Sequence, residues 1–150
     1  MSAAAPFRLR LRVYWEDTDA GGVVFYANYL KFFERARTEW LRAQGHGQQR
    51  LREETGAIFV VTDTVLRYVA PARLDDLIDV TVQVLHAGRV RLEFAQQAWR
   101  GDTLLAEGRL RTGCVDAGTF RPRRIPIGLS SLGRAAAPGD VFLSNSDPGA

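Results

Sequence analysis

One long segment with helical periodicity, rich in aromatic residues, interrupts a sequence in which most of the other patterned segments are of β type. Over residues 28–44 the apolar residues recur every three or four positions, which predicts an amphipathic helix with one buried face. Asn28 is the predicted N-cap, and Gly45 lies where a helix commonly ends. The apolar face consists of Tyr29, Phe32, Phe33, Ala36, Trp40 and Ala43. We expect this helix to form the centre of the core.

The β-type segments lie on both sides of this helix. Residues 7–14 alternate apolar side chains with arginines, which predicts a strand with one buried face. Residues 48–55 are predicted to form a short helix. Four runs rich in Val, Leu, Phe and Thr follow, separated by turn signals, at residues 58–68, 77–87, 90–99 and 104–115. This order predicts an α+β fold, in which an antiparallel sheet of about five strands covers one long helix.

Length and composition indicate one domain. The chain has 150 residues, with 46% apolar and 25% charged residues, as in ordinary globular proteins. We predict a single domain over residues 1–132 and a flexible tail, rich in Ala, Gly, Ser and Pro, over residues 133–150. Neither a signal peptide nor a membrane span is predicted, and the chain's one cysteine is unpaired. A cytoplasmic location is therefore expected.

Cysteine and histidine are too few and too scattered to predict a metal site. Cys114 is the only cysteine, which excludes an intrachain disulfide and any Cys-x-x-Cys site. His46 and His86 lie far apart and belong to no spaced ligand set. We predict no metal, no cofactor, and no catalytic site of the Cys–His or Ser–His–Asp type.

Carboxylates and two glycines occupy residues 16–22, just before the predicted helix. A helix begins with unpaired N–H groups and a partial positive charge. Thioester hydrolysis needs a nucleophile or base beside the carbonyl carbon, and donors for the oxygen as it gains negative charge. Asp19 and the amides around Tyr26 meet those two needs. Glu16 and Asp17 are expected to be solvated or hydrogen-bonded loop residues.

Two blocks of the sequence resemble a known family. The first reads Tyr14-Trp15-Glu16-Asp17-Thr18-Asp19-Ala20-Gly21-Gly22-Val23-Val24 and continues in the predicted helix with Glu34-Arg35-Ala36-Arg37-Thr38-Glu39. The second reads Tyr68-Val69-Ala70-Pro71-Ala72-Arg73-Leu74-Asp75-Asp76. These blocks resemble the 4-hydroxybenzoyl-CoA thioesterase family of hot-dog proteins, and most of all its Tol-Pal-associated acyl-CoA thioesterases. The resemblance covers roughly residues 8–127.

The resemblance implies a curved sheet around a central helix, assembled as a homodimer or homotetramer with its active site at the dimer interface. It implies an acyl-CoA substrate, with acyl carrier protein as a further candidate partner. Asp19 corresponds to the catalytic carboxylate, as nucleophile or as general base. The backbone amide of Tyr26 corresponds to the donor that polarises the thioester carbonyl. Many relatives have His at the Tyr26 position, so the preferred acyl group, aliphatic or aromatic, stays open.

Five residues are further candidates for substrate binding. They are Gly22, Phe25, Tyr29, Arg89 and Arg91. The first three lie close in sequence to the catalytic candidate, although the aromatic ones are core residues first. The two arginines follow a turn at Gly88 and suit bidentate contacts with the phosphates of coenzyme A. The competing interpretation of these arginines is a solvated hairpin.

Two other functions compete with hydrolysis. Lys31 is the only lysine among twenty basic residues, and the net charge is +3, so the arginines could bind phosphate groups of nucleic acid. The aromatic residues, however, fall on core faces and not between the arginines, which disfavours a nucleic-acid surface. The second alternative is a hot-dog protein that binds acyl-CoA or acyl carrier protein without hydrolysing it. The presence of Asp19 argues against that alternative.

Overall fold

The computed structural model describes residues 6–126, which form a five-stranded antiparallel sheet packed against one long helix. The strands lie in the order β1-β3-β4-β5-β2, with β1 and β2 at the edges. Register shifts in β2, β3 and β4 bend the sheet around the helix. The elements are β1 (Phe7–Arg12), α1 (Asn28–Ala43), α2 (Gln48–Thr55), β2 (Ala57–Tyr68), β3 (Leu77–Ala87), β4 (Arg91–Arg100) and β5 (Thr103–Asp116).

The predicted α+β layout, with five strands and one long helix, is confirmed. Both helices form where the sequence pattern places them, and the strand bounds agree to within one or two residues. The buried face of α1 differs at its C-terminal end, where Leu41 is buried and Ala43 is exposed. Leu51 of α2 is buried in the same core cluster as Leu41, whereas Ala43 faces an open groove beside β1.

Gly108 of β5 allows helix α1 to lie close to the sheet. A Cβ atom at this position would lie 2.9 Å from Cε2 of Phe33 and 3.3 Å from the carbonyl oxygen of Val65. Phe33 is completely buried there. The absence of a side chain at Gly108 is therefore what brings the aromatic face of α1 onto the strands.

A buried glutamine attaches the same part of α1 to the sheet. The side-chain amide of Gln96 donates to the carbonyl oxygens of Phe33 at 3.0 Å and of Thr81 at 3.2 Å. Its own oxygen accepts from Nη1 of Arg37 at 2.8 Å. Burial lowers the pKa of the Arg37 guanidinium. Every polar atom of the Gln96 side chain is thereby paired, as a fully buried amide requires.

Ion pairs cover the other face of the sheet. Asp79 of β3 accepts from Nε of Arg10 at 3.0 Å and from Nη1 of Arg8 at 3.4 Å. These arginines hold the pKa of the Asp79 carboxyl below its usual value. Arg12 donates to the carbonyl oxygen of Asp75 at 2.8 Å. The three arginines of β1 thus have partners within the chain, which weakens the case for a nucleic-acid surface on this strand.

Two sequence predictions fall on the chain ends. The proposed domain boundary at residue 132 and the tail over residues 133–150 lie outside the described residues. Between residues 6 and 126, neither helix combines the length and apolar character needed to cross a membrane.

Replacing Gly108 tests the close approach of α1. We expect Gly108→Ala to lower the free energy of unfolding by about 1–3 kcal/mol, because the new methyl group would lie 2.6 Å from Cδ2 of Leu66 and 2.9 Å from the Phe33 ring. Urea denaturation measures the change. Gly113→Ala is the matched control, since a Cβ there meets nothing closer than 3.7 Å. Equal destabilisation by both substitutions would show that strand glycine in general, and not this contact, carries the effect.

Candidate active site

Asp17 organises the loop between β1 and α1. Its side chain is buried, with the residue only 6% exposed, and its Oδ2 accepts from the backbone N–H of Tyr14 at 2.8 Å. Its carbonyl oxygen accepts from the backbone N–H of Phe25 at 3.0 Å and from Nδ2 of Asn28 at 2.8 Å. The expectation of a hydrogen-bonded loop residue is confirmed. The predicted N-cap is wrong, because Asn28 is already helical and its side chain binds Asp17 instead.

Asp19 lies in a tight turn on the surface of this loop. Its backbone N–H donates to the carbonyl of Val23, and its carbonyl accepts from Gly22, both at 2.9 Å. Gly22 adopts a φ of 80°, which favours glycine. The side-chain Oδ1 of Asp19 accepts from the N–H of Gly21 at 2.8 Å. Within residues 6–126 the other carboxylate oxygen, Oδ2, has no hydrogen-bond partner, so it is free to meet a ligand.

The peptide groups on both sides of Tyr26 are held by hydrogen bonds. The N–H of Asn28 donates to the carbonyl of Phe25 at 2.8 Å, and the hydroxyl of Tyr68 donates to the carbonyl of Tyr26 at 3.0 Å. Because N–H and C=O point in opposite directions in a trans peptide, the Tyr26 N–H points away from Asn28. This N–H has no acceptor in the part of the chain that the structure describes. It is an oriented donor without a partner.

Three tyrosines line a cleft beside this amide. The ring of Tyr68 lies 6.3 Å from the ring of Tyr26 and 5.6 Å from that of Tyr29, centroid to centroid. Burial raises the pKa of Tyr29 and of Tyr68. The cleft measures about 280 Å³. Its lining consists of Val23, Val24, Tyr26, Tyr29, Tyr68, Val69, Ala70 and Pro71.

The structure brings together only part of the predicted site. Tyr26 and Tyr29 line the cleft, whereas Asp19, Gly22 and Phe25 are exposed beside it. The turn of Asp19 is tied to the cleft through the carbonyl of Val23. In a single chain the carboxylate therefore lies next to the cleft and outside its lining.

The second sequence block folds against the first. The N–H of Val24 donates to the carbonyl of Ala72 at 2.8 Å, and the N–H of Val13 donates to the carbonyl of Asp76 at 2.9 Å. The side chain of Asp76 accepts from Nη1 of Arg100 at 2.8 Å. Tyr68, at the start of this block, contributes to the cleft, although sequence analysis predicted no individual role for it. Its place in the block was the signal that could have identified it.

Arg89 and Arg91 lie at the far end of the sheet. Arg91 pairs with Gly113 on β5, whereas Tyr68 pairs with Ala106, so the two positions are seven residues apart along this strand. At about 3.3 Å per residue this is roughly 23 Å. Both arginines are exposed, and neither side chain has an ion-pair partner among residues 6–126. They do not approach the cleft of their own chain.

Other reactive side chains form no site. No three of the His, Cys, Asp and Glu residues in the described chain are grouped so that they could hold a metal ion. Cys114 is buried in the core, and burial raises the pKa of its thiol. A thiol of this kind is a poor nucleophile.

Comparison with known proteins identifies the family. Residues 13–139 match the Thioesterase-like superfamily. The chain belongs to this superfamily. A Haemophilus influenzae protein named acyl-CoA thioesterase YbgC is 43% identical over 120 residues, 80% of this chain and 88% of that protein. An Escherichia coli O6:H1 protein named acyl-CoA thioester hydrolase YbgC is 45% identical over 121 residues, 80% of this chain and 90% of that protein.

A solved structure agrees with this assignment. The crystal structure of a probable thioesterase from Bartonella henselae superimposes with a TM-score of 0.77 at 31% identity, covering 81% of this chain and 100% of that one. The hot-dog fold implied by the sequence resemblance is confirmed. In this member of the Thioesterase-like superfamily, Tyr26 lies two residues before the long helix, and Asp19 lies in the exposed turn of the loop that precedes it.

Removing the Asn28 side chain tests how the loop is held. We expect Asn28→Ala to lower the free energy of unfolding by about 1 kcal/mol, because the Asp17 carbonyl loses a donor. Urea denaturation measures this change. Gln44→Ala is the control: it removes an exposed amide from the other end of α1, one with no side-chain partner in the described chain. If both variants unfold at the wild-type urea concentration, the bond to Asp17 does not hold the loop.

Proposed function

We propose that this protein hydrolyses acyl-CoA thioesters to a carboxylic acid and CoA, with Asp19 as the catalytic carboxylate. The observation that carries the proposal is the Tyr26 N–H, oriented by its neighbours and left without an acceptor beside the cleft. Such a donor suits the oxygen of a thioester carbonyl as it gains negative charge. The names of the Haemophilus and Escherichia relatives support the same substrate class.

The carboxylate has two routes to the product. As a nucleophile, an oxygen of Asp19 bonds to the carbonyl carbon, the C–S bond breaks, and the CoA thiolate departs with its electron pair. The mixed anhydride that remains on Asp19 is then hydrolysed by water. As a general base, Asp19 takes a proton from the water that attacks the carbon, and the thiolate leaves with the electron pair of the C–S bond. In both routes the Tyr26 amide donates to the oxyanion. A thiolate leaves without a strong acid, which fits a site without histidine.

A second copy of the chain would complete the site. Strand β2 is an edge strand, and its exposed apolar residues include Val61, Val65 and Tyr68. A long exposed edge of this kind is a template for pairing with another chain. We propose a homodimer formed through β2, in which the cleft of each copy lies beside the sheet of the other copy. A homotetramer would be a pair of such dimers.

This pairing gives the two hairpin arginines a role. Identical strands related by a twofold axis pair antiparallel, so the beginning of one β2 lies beside the end of the other. Arg91 is level with the beginning of β2, because its partner Gly113 pairs with Val60. We propose that Arg89 and Arg91 bind CoA phosphates at the cleft of the other copy. Acyl carrier protein is a further candidate, because it presents a thioester of similar chemistry.

The proposed compartment is the cytoplasm. Cys114 is a free, buried thiol in the described chain, which suits a reducing environment.

Substituting Asp19 tests the chemistry. We expect Asp19→Asn and Asp19→Ala to reduce kcat at least about 100-fold without unfolding the protein, because neither replacement supplies a nucleophile or a base. Release of free CoA thiol from acetyl-, palmitoyl- and benzoyl-CoA measures the rate and also identifies the preferred acyl group. Glu16→Gln is the control, since it removes an exposed carboxylate from the same loop. Near wild-type rates in both Asp19 variants would exclude this residue, and a wild-type protein that binds these thioesters without cleaving them would favour a non-catalytic role.

Mixed dimers test the role of the arginines. We expect the double variant Arg89→Ala, Arg91→Ala to raise KM about tenfold, because two phosphate contacts are lost. This double variant is then mixed with Asp19→Asn protein, and the mixture is unfolded and refolded. Some of the dimers that form contain one chain of each variant. If the arginines act on the other copy, one site in each mixed dimer is intact, and activity with the wild-type KM returns. If they act within their own chain, or if no dimer forms on gel filtration, the wild-type KM does not return.

A further inference from the structure

Tyr68 connects edge strand β2 to the residue that carries the unpaired amide. It is the last residue of β2, and its hydroxyl donates to the carbonyl oxygen of Tyr26 at 3.0 Å. The two residues are 42 positions apart in the sequence. This is the hydrogen bond that joins the end of the strand to the turn before α1.

Backbone and ring contacts restrain Tyr68, although this residue is 47% exposed. The residues after Tyr68 fasten the end of the strand, because the N–H groups of Val69 and Ala70 both donate to the carbonyl of Leu105, at 2.8 and 3.1 Å. The ring of Tyr68 meets that of Tyr26 edge-on, at an interplanar angle of 88°. It also contacts the buried ring of Tyr29. Backbone and ring contacts together direct the hydroxyl toward the Tyr26 carbonyl.

The hydroxyl remains a donor at ordinary pH. Burial, and then the neighbouring Tyr26, raise the pKa of the Tyr68 phenol above its usual value. Tyr68 therefore keeps its proton across the range in which thioesterase assays are run, and its bond to the carbonyl is lost only in alkaline solution.

The bond matters because few others hold this turn. The peptide group before Tyr26 is held by Asn28, and the peptide group after it is held by Tyr68. The side chain of Tyr26 is 62% exposed, so packing adds little restraint. Without Tyr68 the second peptide group can rotate, and rotation about the bonds at the Tyr26 Cα changes the direction of its N–H.

We propose that Tyr68 is a positioning residue, which holds the Tyr26 amide in the orientation that stabilises the oxyanion. This role rests on the proposed function. It links the oxyanion donor to strand β2, the strand through which the second copy is proposed to pair.

Tyr68→Phe tests the role, since it removes the hydroxyl and keeps the ring. We expect kcat to fall about tenfold, as expected when one orienting hydrogen bond is lost, while KM for the fastest substrate of the panel changes less than about twofold. Thr64→Val is the matched control, because it removes an exposed hydroxyl from the same face of the same strand. A structural role alone would lower stability in urea and leave kcat unchanged. Wild-type kcat in Tyr68→Phe would overturn the proposal.

A second measurement separates this role from that of Asp19. In the Asp19→Asn background, the carbonyl stretching frequency of bound benzoyl-CoA, labelled with ¹³C at the carbonyl, reports the donor directly. We expect a lower frequency with Tyr68 present than with Phe at this position, because an aligned N–H weakens the C=O bond. Equal frequencies would overturn the role of Tyr68 even if Asp19 proves catalytic. If the two frequencies differ but the Asp19 variants keep full turnover, the proposed role of Asp19 is wrong and the proposed role of Tyr68 stands.

Discussion

The contact between Phe33 and Gly108 determines how close helix α1 lies to the sheet, and the site depends on that distance. Any larger residue at position 108 would hold the helix away from β5. Gln96 adds polar bonds to the same turn of the helix, so that α1 is also fixed along its axis. Helix α1 begins two residues after Tyr26, so the packing that fixes the helix also fixes the chain next to this amide, whose orientation depends further on local hydrogen bonds.

The two aspartates of the loop differ in burial and in hydrogen bonding. Asp17 is buried, and its carboxylate is tolerated there because Oδ2 accepts from the backbone N–H of Tyr14, while its backbone carbonyl accepts from the side chain of Asn28. Asp19, two residues later, remains in water with one carboxylate oxygen uncommitted. The loop can hold Asp19 in place because its bonds are made by Asp17 and by the turn at Gly22.

Local patterns predicted the elements, and contacts between distant residues explain what the patterns missed. The period of the apolar residues indicates which side of an element is buried, and this requires no knowledge of the fold. The burial of Leu41 depends on helix α2, which no local pattern of α1 contains. Asparagine is a common N-cap residue, yet the side-chain amide of Asn28 donates to the carbonyl of Asp17, which is eleven residues away in the sequence. Tyr68 acquires its partner only when the end of β2 reaches the turn before α1.

The distances within the sheet separate the cleft from the two candidate phosphate-binding arginines of the same chain. The cleft and the free arginines Arg89 and Arg91 lie at opposite ends of β5, too far apart for one small acyl group. A CoA thioester is long enough to need contacts at both places, but the strands of one chain cannot bring them together. In the proposed dimer, antiparallel pairing through β2 reverses the direction of the second sheet and removes this separation along the strands. The proposal of a substrate held between two copies of the chain thus accounts for both the exposed edge and the distribution of charge.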